Sequence, residues 1–586
     1  MPLVSAMAGA VFTVGVCWAL GTLILHWLQL DFHRLEGSLI AFVTGSGCLS
    51  LAVFVLCVIH QARLPIFLVG GSAAVAAAGW IVRKSPGAKS LPAVRLGWKL
   101  VFTTIYVAFF LCYLTNALAP EISPDGSSYH LGNVARYWRN HGFDWGYHSI
   151  YSSLSQGMEM LYLVAFCIGR HPAAATVHMA FQAALPLLIL CYGRRFGFPG
   201  VGAFAGLLVY VSPVIGITGS SAYNDLAVAT LIFAGFYLLE VYSDILSGKR
   251  QLLIGLLCGA SFAIKYTAGF MLLFSAGWAR GRRLVPLCLG AGVMAAPWLL
   301  RNWLWLGNPF APFLNSWFPN PYWTAGAEHE YLSGLRAYPP FQSYWDFFSQ
   351  LTVLGGLVPG MIGPAFLLIP LALLALRNSH GRRLLLAGVV YSIPALLNTE
   401  IRFLIPALPF WALALGLGLE LSQGVLPAVA LFQSLLCWPN VMDVYCNPNA
   451  WRIRGFQIRA MLRVEPEAIY IGRHVGDYAL KDTIDRNVPG HSRIFSFAGR
   501  AAAYLDRDIV VGYESSQGLK IQNALQGAAS AGSGERVAAL LTKSEGCDFL
   551  LVNDSDAVAD SMKKKTNVWG LSEVVKANGT TLYRID

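Results

Sequence analysis

Residues 119–130 read Ala119-Pro120-Glu121-Ile122-Ser123-Pro124-Asp125-Gly126-Ser127-Ser128-Tyr129-His130. Pro124-Asp125-Gly126 is turn chemistry, because proline presets one backbone angle and glycine tolerates the next. Ser127 is an N-cap residue type and Gly142 a helix stop, so the spacing predicts a helix from Ser127 to about Asn140. Leu131, Val134, Ala135 and Trp138 form an apolar stripe on that helix, as suits a helix lying at a membrane interface. His130, Asn133 and Tyr137 fall on one other face, and Tyr129, Arg136 and Arg139 on another. Asp125 then sits on a tight turn at a membrane surface. A carboxylate there can take a proton from an incoming hydroxyl or amine while a group is transferred to it. The competing reading is an Asx-turn or a capping hydrogen bond with no chemistry attached.

Three cations interrupt or end apolar runs: Lys265, Arg301 and Arg402. An ionisable side chain at membrane depth is costly unless paired, and is therefore a candidate for function. Fixed cations aimed at a departing phosphate stabilise the charge that develops on it. Snorkelling to lipid headgroups, or a structural pair of Arg402 with Glu400 or Asp225, competes with that role. Asp225 follows Tyr223-Asn224 at the start of a run. It could orient an acceptor or pair with Arg136 or a phosphate-binding cation, and equally it could only complement a helix dipole.

The elements that must position these residues are mostly membrane spans. The 586-residue chain is 56% hydrophobic and 12% charged, with a mean hydropathy of +0.54, too little charge to cover a soluble protein of this size. Apolar runs near the length that crosses about 30 Å of hydrocarbon recur through three quarters of it. They predict spans at 4–30, 37–59, 63–82, 97–118, 174–193, 199–219, 225–243, 252–278, 284–306, 350–376, 384–398, 403–421 and 424–445. The run 252–278 is long for one crossing and carries Lys265 at its middle, which predicts two half-length helices turning at Ile264-Lys265-Tyr266. The net charge of +11 resides in short clusters between runs, such as Arg83/Lys84, Arg194/Arg195, Lys249/Arg250, Arg282/Arg283 and Arg382/Arg383. That is the positive-inside pattern, and no basic stripe interleaved with aromatics suggests nucleic acid. With those clusters on the cytoplasmic side, 119–172, Tyr223-Asn224-Asp225, 307–349, Glu400-Arg402 and the C-terminus all fall on the opposite face.

Most cysteines, Cys17, Cys57, Cys112, Cys191 and Cys258 among them, lie in apolar runs as small hydrophobes. No Cys/His spacing supports zinc or redox chemistry, and nothing says that Cys446 and Cys547 pair. Glu328-His329-Glu330 reads as a solvated loop, since adjacent residues point apart. Trp317, Tyr322, Trp323, Tyr331 and Tyr338 can stack on sugars or anchor at the interface. From about 455 the chain changes character. Residues 494–497, 549–552 and 580–583 read as strands, and Arg536–Glu545 as a helix ended by Gly546. Together they predict a small C-terminal α/β domain of about 130 residues, without a phosphate loop or nucleophile elbow, a lid or partner surface.

Pro124-Asp125 with Tyr129-His130, followed by Ala135-Arg136-Tyr137 and Asn140-His141-Gly142-Phe143, resembles the first outer loop of glycosyltransferases with the GT-C fold. Later landmarks follow in the same order: Ala222-Tyr223-Asn224-Asp225-Leu226, Lys265-Tyr266-Thr267, Pro297-Trp298 with Arg301-Asn302-Trp303 and Gly307-Asn308-Pro309, and Arg402-Phe403 with Pro406 and Pro409. The ensemble, spanning 119–421, is similar to the group of protein O-mannosyltransferases, aminoarabinose transferases and rhizobial lipopolysaccharide glycosyltransferases. The resemblance implies a polytopic α-helical membrane protein of about fourteen spans with an extracytoplasmic α/β domain, integral to the bacterial inner membrane. It divides into N-terminal spans (1–118), an outer loop with interfacial helices (119–172), a membrane core (173–450) and the C-terminal domain (455–586).

The implied activity moves a sugar from a polyprenyl-phosphate donor to a glycan, lipid or protein acceptor on the non-cytoplasmic face, with inversion. Asp125 matches the family's acidic residue, its base or metal contact, and Lys265, Arg301 and Arg402 would hold the leaving phosphate. Tyr129, His130 and Arg136 would shape the pocket, with Asp225 beside them. The family often has two adjacent acidic residues at this point. Here the neighbour is Gly126 and the nearest second carboxylate is Glu121, which joins the binding residues. A lone carboxylate holds a divalent ion poorly, so no metal or other cofactor is assigned. The rival reading is a transporter or flippase, for which the break at Lys265 is the best argument. The polar residues gather at one face, however, and no half-to-half similarity is seen.

Overall fold

The computed structural model describes the chain apart from residues 1–2, 85–88, 147–148, 244–246, 280–283, 338–340, 399, 421–423, 491, 532–545 and 565–568. Arg282/Arg283, Tyr338 and the helix expected at Arg536–Glu545 therefore lie outside the described residues. The chain folds as two compact units: residues 1–119, 155–297 and 333–461 form one, and 120–154, 298–332 and 462–586 the other.

The first unit is helical and apolar. Among the described residues, seven helices are long and apolar enough to cross a membrane, or nine if two bent pairs each count as one span. The protein is thus a multi-pass membrane protein. Several of the apolar runs expected as spans are not single long helices, because prolines and glycines break them. Pro199–Tyr210 and Pro213–Gly219 meet at 65°, and Val425–Leu436 and Pro439–Tyr445 at 78°. Residues 350–376 contain a short π-helical turn, an irregular stretch and the 3₁₀ helix Pro364–Arg377. The span expected at 174–193 is part of a 39-residue helix, Gly157–Arg195, interrupted at Arg170. The four N-terminal helices, Leu3–Leu28, Arg34–Val58, Leu64–Lys84 and Leu96–Ala117, match expectation closely.

Small residues let the first two helices touch backbone to backbone. A Cβ on Gly21 would lie 1.7 Å from the Ala41 carbonyl oxygen, and one on Gly45 1.7 Å from that of Cys17. The second helix is also pinned by a buried charge. Glu36 accepts from the Tyr237 hydroxyl at 2.5 Å and meets Arg195 at 3.4 Å and His33 at 3.0 Å. Glu240 is held in the same way, by Arg383 at 2.9 Å and His380 at 2.7 Å. Each carboxylate sits among basic partners, which is the condition for keeping it buried.

In the second unit, β1 (Arg493–Ser496), β2 (Asp508–Val511), β3 (Cys547–Asn553), β4 (Leu571–Ala577) and β5 (Thr580–Ile585) form one sheet in the order β2-β1-β3-β5-β4. β1 runs parallel to β2 and β3, while β5 is antiparallel to β3 and β4. The three expected strands are present. β2 escaped notice because it has four residues beside the charged run Asp506-Arg507-Asp508, and β4 because Glu573 and Lys576 interrupt its apolar pattern. Phe495, Leu550, Val552, Met562, Trp569 and Tyr583 form the core of this domain. A second cluster joins Ile150, Trp323 and Ala327 with Tyr151, Tyr331 and Leu519, so the three stretches of chain share one packed body. Cys446 and Cys547 are both buried.

The helix crossing makes a direct prediction. Gly21→Val forces the two backbones apart and costs about 1–3 kcal/mol, as overpacking does. Gly15→Val, where nothing lies within 4 Å, is tolerated. Thermal unfolding of the detergent-purified variants checks this: Tm falls by several degrees for Gly21→Val and is unchanged for Gly15→Val.

Candidate functional site

Asp125 lies in the second unit and is half-buried. The turn expected at Pro124-Asp125-Gly126 is already helical. Pro124 suits a first helical turn, since its missing N–H would have no partner there, and Asp125 has φ −77° and ψ −35°. Gly126–His130 continues as a π-helical turn into Leu131–Asn140. Ser127 is therefore inside the helix rather than its cap, and its hydroxyl donates back to the Ser123 carbonyl at 2.8 Å. The helix ends at His141, in the left-handed region at φ 53°, one residue before the expected Gly142.

The π turn sets a four-residue spacing that closes a hydrogen bond. Tyr129 donates its hydroxyl to Asp125 Oδ2 at 2.9 Å. Its ring stacks on Tyr151, with centroids 3.8 Å apart and planes 6° from parallel, and packs against His130 at 4.3 Å. Burial keeps the Tyr151 hydroxyl protonated well above the usual phenol range, helped by Tyr331, Tyr513, Tyr129 and the Asp125 carboxylate. Tyr151 was not singled out from the sequence.

Glu121 explains why residue 126 is glycine. A Cβ there would lie 2.8 Å from the Glu121 carboxyl carbon and 2.5 Å from Ser123 Oγ. The second carboxylate fills the space that a side chain at 126 would take. Its Oε1 accepts from the Ser123 amide at 2.7 Å, and Tyr504 donates to the Glu121 carbonyl at 2.6 Å. Among the described residues no group of three or more His, Cys, Asp or Glu is placed to hold a metal ion.

Arg301 belongs to the same unit and has a framework task. It donates to the carbonyls of Ser152 at 3.0 Å and Leu154 at 3.1 Å and to Asn302 Oδ1 at 2.7 Å. Its guanidinium lies over Trp298 at 4.9 Å and Phe143 at 5.3 Å. Asn302 reinforces the same turn through the Ser153 carbonyl at 2.6 Å. Glu328, read as a loop residue, accepts from the amides of Leu314 and Asn315, each at 2.9 Å.

Asp225, Lys265 and Arg402 lie in the first unit, and the structure brings them together. The helix Gly248–Ile264 stops at Lys265, which is extended (φ −153°, ψ 125°), and a short 3₁₀ turn leads to Phe270–Ala279. This is the predicted break. Lys265 Nζ meets Asp225 Oδ1 at 2.6 Å and rides 4.0 Å above the Phe403 ring. Arg402 pairs with Glu400 and faces the Tyr223 ring at 5.1 Å. Both cations and Asp225 line a cleft of about 320 Å³ closed by Tyr391, Phe403 and Pro406. His178 is the unforeseen member. Its Nδ1 donates to the Ser221 carbonyl at 2.9 Å and its Nε2 accepts the Leu226 amide at 3.1 Å, fixing the entry to the helix that begins at Asp225. Only its distance in sequence hid it.

No family model matches the sequence, and no curated protein does so either. Solved structures do match. ArnT from Cupriavidus metallidurans, an aminoarabinose transferase bound to undecaprenyl phosphate, aligns with a TM-score of 0.50 at 11% identity over 84% of this chain and 99% of that one. Its apo form gives 0.52 at 12%, over 84% and 98%. The Archaeoglobus fulgidus oligosaccharyltransferase tethered to an acceptor peptide gives 0.46 at 13%, over 83% and 74%. The chain has the GT-C fold.

The buried pair yields a prediction. Lys265→Met strands Asp225, only 3% exposed, and a buried pair broken on one side costs about 3–5 kcal/mol. Adding Asp225→Asn restores most of that loss. A thermal-unfolding double-mutant cycle measures both, with a positive coupling expected.

Proposed function

We propose that the protein transfers a sugar from a polyprenyl-phosphate donor to a hydroxyl or amine of an acceptor on the non-cytoplasmic face of a bacterial inner membrane. The cleft that gathers Lys265 and Arg402 on an aromatic floor beside Asp225 carries this reading. Two cations in a low-dielectric wall seat a phosphate, and they do so most strongly as its charge grows. A guanidinium has five donors in a planar fork, so the pairing with Glu400 and a bidentate hold on phosphate are compatible. The likeness to an ArnT structure that carries undecaprenyl phosphate supports the same donor class.

Asp125 acts as the base. The acceptor oxygen or nitrogen attacks the anomeric carbon and gives its proton to the Asp125 carboxylate. The bond from that carbon to the phosphate oxygen breaks, and its electron pair leaves with the polyprenyl phosphate. One displacement inverts the anomeric configuration. Tyr129 holds the carboxylate in one orientation through Oδ2. Glu121 is fixed under Gly126, behind the same turn. His130 packs on Tyr129, and Arg301 keeps its framework task. The C-terminal domain stands on the outer side with them.

Asp125→Asn lowers transfer by about 10²–10⁴-fold, the usual contribution of a positioned base, without lowering expression. Tyr129→Phe removes a hydrogen bond to a charged group, worth about 1.5–3 kcal/mol, and reduces kcat by roughly ten- to a hundredfold with donor KM unchanged. Turnover of a polyprenyl-phosphate sugar by the purified variants measures both. Undiminished flux of a lipid-linked substrate through Asp125→Asn protein would favour a transporter instead.

A further inference from the structure

From Asn302 to Ala327 the chain carries no charged residue, and in the second unit this stretch builds a tip that the chemistry above does not use. The helix Leu284–Leu306 stops at Gly307, whose φ of +73° is the left-handed conformation that commonly closes a helix. The chain then makes a run of turns and comes back to the helix end. A Cβ on Gly307 would lie 3.5 Å from the Pro319 carbonyl oxygen. Between these two points Leu314, Trp317, Phe318 and Pro319 are exposed, Trp317 at 81%.

A single exposed apolar side chain needs no explanation, but a group of large ones on a built scaffold does. The scaffold is polar and faces inward. Asn308 and Asn315 are buried. Asn308 Nδ2 donates to the Phe313 carbonyl at 2.8 Å and to Asn315 Oδ1 at 3.0 Å, and Asn315 Nδ2 donates to the Pro312 carbonyl at 2.6 Å. Glu328 takes the Leu314 and Asn315 amides. The amides of Trp317 and Phe318 both reach the Leu314 carbonyl at 3.0 Å, and Pro312 and Pro319 have no amide to satisfy. The tip thus bonds its polar groups among themselves and with Glu328, and leaves its apolar side chains outside. Water sets no such condition. A lipid layer does, because a backbone group there has no solvent to bond.

What covers the tip follows from what lies beside it. In the last turns of the helix Leu300, Trp303 and Leu304 share one face, at three- and four-residue spacing, and Trp303 and Leu304 are 63% and 78% exposed. The helix is long and apolar enough to cross a membrane, so that face meets lipid. The tip sits beside this helix end and continues its composition, tryptophan with leucine and phenylalanine, as at a bilayer boundary. A protein partner would call for a polar rim around the apolar centre, and the charge-free stretch supplies no charge for one.

We infer that the tip Leu314–Pro319 is a membrane anchor whose side chains enter the leaflet in which the helix Leu284–Leu306 ends. This inference is independent of the glycosyltransferase reading.

The test uses the full chain in vesicles of phosphatidylethanolamine and phosphatidylglycerol. Cys288, which is exposed, is replaced by serine, and the signal of that protein is subtracted as background. An environment-sensitive fluorophore is attached to Trp317→Cys and, separately, to Pro319→Cys. Lipids brominated in the acyl chain should quench both labels severalfold more than aqueous iodide does. The order should reverse for Asp560→Cys, at an exposed position of the sheet domain. Adding Trp317→Asp should cut the bromolipid quenching at position 319 severalfold. Melting temperatures are recorded, and Leu314→Cys stands in for a labelled variant that unfolds early. Labels reached by iodide and not by brominated lipid place the tip in water. Labels shielded from both place it against protein, a second copy or another chain. Either result overturns the assignment, as does quenching at position 319 that Trp317→Asp leaves unchanged.

Discussion

A lysine inside a largely apolar helical unit survives only beside its counter-charge. Lys265 and Asp225, 2.6 Å apart, meet that condition, and much of the local backbone follows from it. The helix Gly248–Ile264 has to stop so that the ammonium can turn toward Asp225 and lie over Phe403. Asp225 has to open its own helix, and His178, bonded on both sides of the entry turn, fixes where that helix begins. Arg402 enters from a third segment with its own partner, Glu400. The pair is thus a local solution to a burial problem and the origin of a charged cleft.

The second unit solves a different problem, that of holding a short carboxylate-bearing helix steady. Its parts come from distant stretches of chain. Arg301 and Asn302 bond the carbonyls of 152–154, and the Ala503 amide bonds the Ser127 carbonyl at 3.0 Å. Ser516 bonds both Tyr322 and Thr324. Asp125 is oriented by Tyr129, and Tyr129 by the stack on Tyr151. Rigidity of this kind suits the proposed role of Asp125 as base, because reorganisation at the moment of reaction would add to the barrier.

The sequence was most legible where one rule acted alone. Apolar runs located the four N-terminal helices, and the misplaced lysine located the helix break at Ile264-Lys265-Tyr266. The GT-C landmarks pointed to the fold the chain has. Where two rules compete, the simpler reading slipped. Pro124-Asp125-Gly126 is turn chemistry and also good chemistry for a first helical turn, and the π turn that follows has no sequence signature. Several runs with span-like hydropathy are broken by Pro and Gly into short or bent pieces, so a run that reads as one span is not always one helix. Tyr151 and His178 were invisible because their roles depend on neighbours far along the chain. Gly126 looked like a missing acidic residue until the Glu121 carboxylate was found in its place.

The central claim concerns what the two charged sites do to a lipid-linked sugar. Purified protein incubated with a panel of polyprenyl-phosphate sugars and candidate glycan or glycolipid acceptors, followed by mass spectrometry and anomeric assignment of the product, tests it most directly. One donor should yield free polyprenyl phosphate and a glycosylated acceptor of inverted configuration. Donors recovered intact across the panel, or a product of retained configuration, would contradict it.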